Sequence, residues 1–148
     1  MKLSTKGRYG VRLMIDLACH YGEGPVLLRE ISEHEEISEK YLWHLINPLK
    51  AAGLVTATRG AHGGYILAKH PSRITMKEIL QVLEGHMCLM DCVEKPSACH
   101  RVPICSARDM WSEIACGIDR ILTTTTLADM AERQKVKKGK YASDSYAI

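Results

Sequence analysis

Residues 38–67 read SEKYLWHLINPLKAAGLVTATRGAHGGYIL. Ser38 is a good N-cap, since its hydroxyl can accept a free backbone N–H of the first helical turn. Behind it Tyr41, Leu42, Leu45, Ile46 and Leu49 recur at helical spacing and form one apolar side. Gly53 stands where a left-handed C-cap belongs. Pro48 falls inside this helix. It removes one donor, leaves the His44 carbonyl without its intrahelical partner and predicts a kink. Beyond Gly53, Leu54 to Thr58 and Gly64 to Ala68 are two strand-like runs. Arg59-Gly60-Ala61-His62-Gly63 joins them, with glycines that permit positive φ. A capped helix thus leads directly into a hairpin.

Upstream, Leu28 to Glu35 reads as a short helix with Ile31 inward, and Ile37 leads the chain into Ser38. Before it, Ser4 or Thr5 can cap a first helix carrying Tyr9, Leu13, Met14, Leu17, Ala18 and Tyr21 at helical spacing. Gly22-Glu23-Gly24-Pro25 stops that helix. Three helices and a hairpin describe a winged helix-turn-helix over residues 1–73; the plainer alternative is a generic α+β domain with a mobile loop. The fold class expected is mainly α with a small β-hairpin wing and a long C-terminal dimerisation helix.

Downstream, Thr75-Met76-Lys77-Glu78 is a capping box for a fourth helix ending at Gly85. The stretch from Met87 to Cys105 holds four cysteines and two prolines and reads as irregular. A long helix over about 106–122 then carries Met110, Ile114, Ile118 and Ile121 on one stripe. That stripe is too long for a small winged domain to cover. A second copy of the same helix is the simplest cover, so a homodimer is expected, and 74–134 reads as a loop plus dimerisation helix. Thr126 to Asp129 caps a last short helix. The polar tail, 135–148, is expected to be disordered.

Composition narrows the class. With 46% hydrophobic and 25% charged residues the chain is an ordinary folding sequence, and without Phe its core must be aliphatic. No apolar run approaches the roughly 20 residues that span a bilayer. Met1 to Lys6 lacks the apolar stretch of a signal peptide. A cytoplasmic protein with no membrane partner is expected, and its six cysteines then read as thiols or metal ligands. Residues 1–73 carry ten Lys/Arg against seven Asp/Glu, while 74–134 carry six against nine. A basic first half suits a polyanion.

Recognition helices present their N-terminal residues to base edges. Here Ser38 is followed by Glu39, Lys40, Trp43 and His44. Lys40 can donate to guanine or phosphate, and His44 to purine acceptors. Arg59 and His62 on the wing, flanked by glycines, suit a minor groove or phosphate. Lys6 and Arg8 can anchor phosphates. A merely solvated surface is the bland reading of each taken singly. In a dimer two such helices fall about one helical turn apart, roughly 34–36 Å, which implies a pseudo-palindromic site in double-stranded promoter DNA.

Cys92, Cys99 and Cys105 lie in one loop with six and then five residues between neighbours. Structural zinc sites use tighter pairs. Wider spacing in a proline-containing loop suits an iron–sulfur cluster, with free thiols or redox disulfide chemistry and zinc as the other readings. Three thiolates leave one iron position for a weaker ligand, which makes a centre labile to oxygen or nitric oxide. Cys19 and Cys116, on helices, read as small hydrophobes; Cys88 is a reserve ligand. A thiol oxidoreductase is disfavoured, since there is no Cys-x-x-Cys and no βαβ context, and the chain is not expected to be an enzyme.

Met1 to Tyr9, Ser38 to Leu42, Ala52 to Val55, Arg59 to Tyr65 and Leu83-Glu84-Gly85 together resemble the Rrf-two family of winged helix-turn-helix transcriptional regulators. The resemblance covers about residues 1–132 and includes the family's IscR- and NsrR-like iron–sulfur members. It implies a homodimer crossed through the long helix, with Tyr41 in the DNA-binding segment. It also implies that Cys92, Cys99 and Cys105 match the three cluster cysteines, a triplet that cluster-free members lack. A 2Fe–2S cluster is preferred and 4Fe–4S comes second. Where some cluster members supply a fourth-ligand His, this chain has Arg108; where others supply an Asp, it has Arg8. The Glu-Gln pair of one recognition helix is Trp43-His44 here. His100 and Cys88 are the candidate fourth ligands, with Asp109, a partner-chain residue or solvent as further possibilities.

Overall fold

The computed structural model describes residues 2–147. Three helices open the chain: α1 (Thr5–Cys19), α2 (Leu28–Glu35) and α3 (Glu39–Ala51). Strands β1 (Val55–Thr58) and β2 (Gly64–Leu67) pair antiparallel, with Val55 opposite Leu67 and Thr58 opposite Gly64. After them come α4 (Met76–Glu84), the single turn α5 (Asp91–Glu94), α6 (Ser106–Thr124) and α7 (Leu127–Tyr146). The fold is mainly helical with a hairpin wing.

Helices α1, α3, α4 and α7 start where an N-cap side chain relieves the free N–H groups of a first turn. Ser4 Oγ accepts the Gly7 N–H at 3.1 Å, and Ser38 Oγ accepts that of Tyr41 at 3.3 Å. Thr75 and Glu78 form a reciprocal box: Thr75 Oγ1 accepts the Glu78 N–H at 3.2 Å, and Glu78 Oε2 accepts the Thr75 N–H at 2.8 Å. Thr126 and Asp129 repeat it for α7. Between α2 and α3 the chain turns through Glu36, whose φ of 53° puts a non-glycine residue in the left-handed region. Helix α3 continues through Pro48 to Ala51, held by the burial of Leu42, Leu45, Ile46 and Leu49.

The core is aliphatic. Leu13, Met14, Ile31, Leu42 and Ile46 are fully enclosed, each contributing about 1.5–3 kcal/mol of burial. Ile74, Ile79, Leu83, Leu127 and Ala131 belong to the same cluster, so α4 and the start of α7 share one core with the first three helices. Helices α1 and α4 approach closely at two buried glycines. A Cβ on Gly10 would overlap Leu83 Cδ1, and one on Gly7 would overlap the Glu84 carboxylate. That carboxylate accepts the Ser4 N–H at 2.9 Å and the Ser4 hydroxyl at 2.6 Å. The wing is pinned by Val26, whose N–H donates to the Tyr65 carbonyl at 3.0 Å and whose carbonyl accepts the Tyr65 N–H at 2.8 Å.

Helix α6 buries none of its residues: Met110, Ile114 and Ile121 are 49, 41 and 61% exposed. Cys116, expected to be buried like a small hydrophobe, is also exposed. The tail corrects the sequence reading. In place of a short helix and a disordered segment from 135, α7 runs to Tyr146; Ile148 lies outside the described residues. Apolar periodicity cannot reveal this part, since the residues from Lys135 to Tyr146 are exposed. The helix is carried by good helix formers, Gln134, Lys135, Lys137, Lys138 and Lys140. Ser143 and Ser145 donate to the Gly139 and Tyr141 carbonyls at 3.0 and 2.8 Å.

Candidate functional site

The capped start of α3 turns Glu39, Lys40, Trp43 and His44 to the surface, and the Trp43 and His44 rings meet edge to face at 5.4 Å. Lys6 and Arg8 are exposed on the first turns of α1. Arg59 and His62 are exposed on the hairpin loop, where Gly60 has φ 107° and its carbonyl accepts the Gly63 N–H at 3.0 Å. Tyr41, expected among the DNA-binding residues, is half-buried, its ring edge-on to Tyr9 at 5.9 Å. Arg8 and Arg12 lie over the Tyr9 ring at 5.8 and 5.3 Å. Its place is the seam of α1 and α3.

The segment before α6 folds as three single turns. Cys92 sits in α5, Cys99 follows the turn Pro96–Ala98, and Cys105 occupies the N-cap of α6 after the turn Val102–Ile104. All three are half-buried and unbonded. Arg108, in the first turn of α6, donates from Nε to the Cys92 carbonyl at 2.9 Å and ties the segment to the helix. His100 is exposed. Cys88 is half-buried, its Sγ 4.0 Å from Asp91 Oδ1. Burial, then the Glu94 hydrogen bond and the Glu94 and Asp91 charges, push the Cys88 thiol up. The His86 hydrogen bond, at 2.7 Å, holds the Glu94 carboxyl below its usual range.

Among the described residues, Asp16, His20 and His34 are the one set of three or more His, Cys, Asp or Glu with ligand atoms within 4.8 Å of one another. The thiols of Cys92, Cys99 and Cys105 are not drawn together to that distance, so as placed they do not surround a single ion. Thiolates that bind different irons of one cluster stand farther apart than the ligands of one ion, and three half-buried thiols in one short loop are a donor set a cluster accepts. The sequence reading did not single out Asp16, His20 or His34. Their signal was only the one-turn spacing of Asp16 and His20.

A cavity of about 530 Å³ separates α4 and α6 beside this loop, lined among others by Lys77, Gln81, His86, Leu89 and Cys116. Lys77 Nζ reaches across to Asp119 Oδ1 at 2.7 Å.

A helix N-terminus held clear of its own core, beside a glycine-flanked hairpin loop and exposed cations, is the architecture of a winged helix-turn-helix DNA-binding protein. The chain belongs to the Rrf2 family, described as iron-dependent transcriptional regulators, whose family model matches residues 3–133. It is 42% identical over 131 residues to the regulator CymR of Bacillus subtilis (strain 168), spanning 88% of this chain and 90% of that one. The solved structure of that protein, titled the global cysteine regulator, superposes with a TM-score of 0.75 over 90% of this chain and 98% of its own. A solved T. potens IscR, also 42% identical, gives 0.73 over 90% and 88%. The IscR regulator of Serratia proteamaculans is 36% identical over 136 residues, 92% of this chain and 82% of that one. The chain is therefore a DNA-binding transcriptional regulator and not an enzyme. No helix among the described residues is long and apolar enough to cross a membrane.

Proposed function

We propose that this regulator acts as a homodimer on a pseudo-palindromic promoter site and senses iron–sulfur status, or a reactive small molecule such as oxygen or nitric oxide. The sensing element is an iron–sulfur cluster held by Cys92, Cys99 and Cys105, with 2Fe–2S preferred over 4Fe–4S. One observation carries the reading: three half-buried, unbonded thiols share one loop whose start is fastened to α6 by Arg108. When bound, the cluster supplies a redox-active centre that oxidants destroy. The chain's own part is mechanical. With its thiolates engaged, segment 86–108 is held in one arrangement against α6, and that biases how the two recognition helices are set.

The exposed stripe of α6 supports the dimer, and the surface of Lys40, His44, Arg59, His62, Lys6 and Arg8 supports DNA contact by each half. His100, exposed in the same loop, is the preferred fourth ligand, with Cys88 in reserve. The likeness to a protein titled the global cysteine regulator favours a second reading, a cluster-free regulator that uses thiol oxidation or a protein partner. Anaerobic purification, a visible spectrum and assays of iron and acid-labile sulfide separate the two. Two iron and two sulfide per chain, lost in Cys99→Ala, are expected. A colourless protein that also resists cluster reconstitution supports the second reading.

A further inference from the structure

We propose that Asp16, His20 and His34 bind a divalent transition-metal cation of the zinc or cobalt class at the seam of α1 and α2, apart from the cysteine loop. Asp16 lies on α1, His20, four residues on, is that helix's C-cap, and His34 stands in the last turn of α2. The Asp16 side chain is fully enclosed, yet the side chains that meet its carboxylate are two imidazoles and no permanent cation. His34 Nδ1 lies 3.1 and 3.2 Å from its two oxygens. His20 Nδ1 lies 3.8 Å from Oδ2 and 2.8 Å from the Asp16 carbonyl. The preceding cation on α1, Arg12, is committed to Glu35 at 2.9 Å.

A buried carboxylate needs a compensating positive charge. The two rings that meet this carboxylate stack with centroids 5.1 Å apart and 9° between planes. One divalent ion would meet the carboxylate and both rings together. Two imidazoles and a carboxylate, all within 4.8 Å of one another, are a donor set that zinc and cobalt accept. Metal–ligand bonds of about 2.0–2.2 Å require the donors to draw in further. The geometry allows this, because the His20 and His34 side chains are 31 and 37% exposed and can turn, whereas Asp16 is fixed. A cavity of about 240 Å³, lined by His20, Glu23, Glu30 and His34 among others, adjoins the rings. It leaves room for water on the open side of the ion and places the Glu23 carboxylate nearby.

Cobalt(II), titrated anaerobically into the metal-free full-length chain, tests the site. Thiolate–cobalt bonds announce themselves by near-ultraviolet charge transfer, whereas a His/carboxylate site gives visible ligand-field bands alone. The wild type is expected to bind one equivalent without charge transfer, and His34→Gln to lose that equivalent while keeping any thiolate-linked cobalt. His20→Gln serves as the second variant and replaces the first if circular dichroism shows it unfolded. Equal binding by wild type and a folded variant, or thiolate charge transfer on every equivalent, overturns the proposal.

Discussion

At the scale of single residues, the side chains at the start of α3 divide between surface and seam. Lys40 is exposed and Tyr41 is half-buried against Tyr9. Replacing Lys40 with Ala should weaken duplex binding and reduce the slope of log affinity against log salt by about one, measured by fluorescence anisotropy across a salt series. The capping carboxylates give a pH prediction. Burial pushes Glu78 up, but the hydrogen bonds from the Thr75 backbone, Lys69 and the Thr75 hydroxyl outweigh it and hold the carboxyl below its usual range. Hydrogen bonds from the Thr126 backbone and hydroxyl lower Asp129 in the same sense. A lowered folded-state value means stability that is present above the unfolded value, near pH 4, and lost as pH falls through the lower one. Urea unfolding should show that acid loss, and Glu78→Gln should flatten part of it. Residue types were legible in the sequence, but their meeting was not. Asp16 and His20 announce one helix face by spacing alone, while His34 joins them only once α2 has docked.

At the scale of elements, the wing depends on a backbone contact. Gly64 has φ 148°, and a Cβ there would stand 2.6 Å from the Val26 carbonyl oxygen. Backbone cannot step aside as a flexible side chain can. Gly64→Ala should therefore cost about 2 kcal/mol or more by chemical denaturation and loosen the wing, seen as faster amide exchange at Val26 and Tyr65. The first three helices and the hairpin were readable because each carries a local signature: a cap, an apolar period, a stop. The start of α7 was readable from its Thr126 cap, but its outer part was not, because it buries nothing and so leaves no period to find. The turns of segment 86–105 carry no period either. The sequence could supply the kind of ligand there, and only the fold could supply its placement.

For the whole molecule, the exposed stripe of α6 is the feature that reaches beyond one chain. Ile121 is 61% exposed, so Ile121→Asp should leave the monomer's fold intact by circular dichroism. If α6 mediates self-association, the variant should sediment at half the mass of the wild type and bind a two-half-site duplex at least tenfold more weakly. A monomeric wild type would remove the dimer from the proposed mechanism.

Helix α6 is fastened at both ends. Arg108 secures its beginning to Cys92, and its far end is stitched back by the Met76 N–H to the Thr125 carbonyl at 3.0 Å and the Leu127 N–H to the Ile74 carbonyl at 2.8 Å. It is a handle riveted at two points, not a tail hung from one. The two rivets sit in different places, so a turn of the handle pulls at once on the cysteine segment at Cys92 and on the start of α4 at Ile74 and Met76.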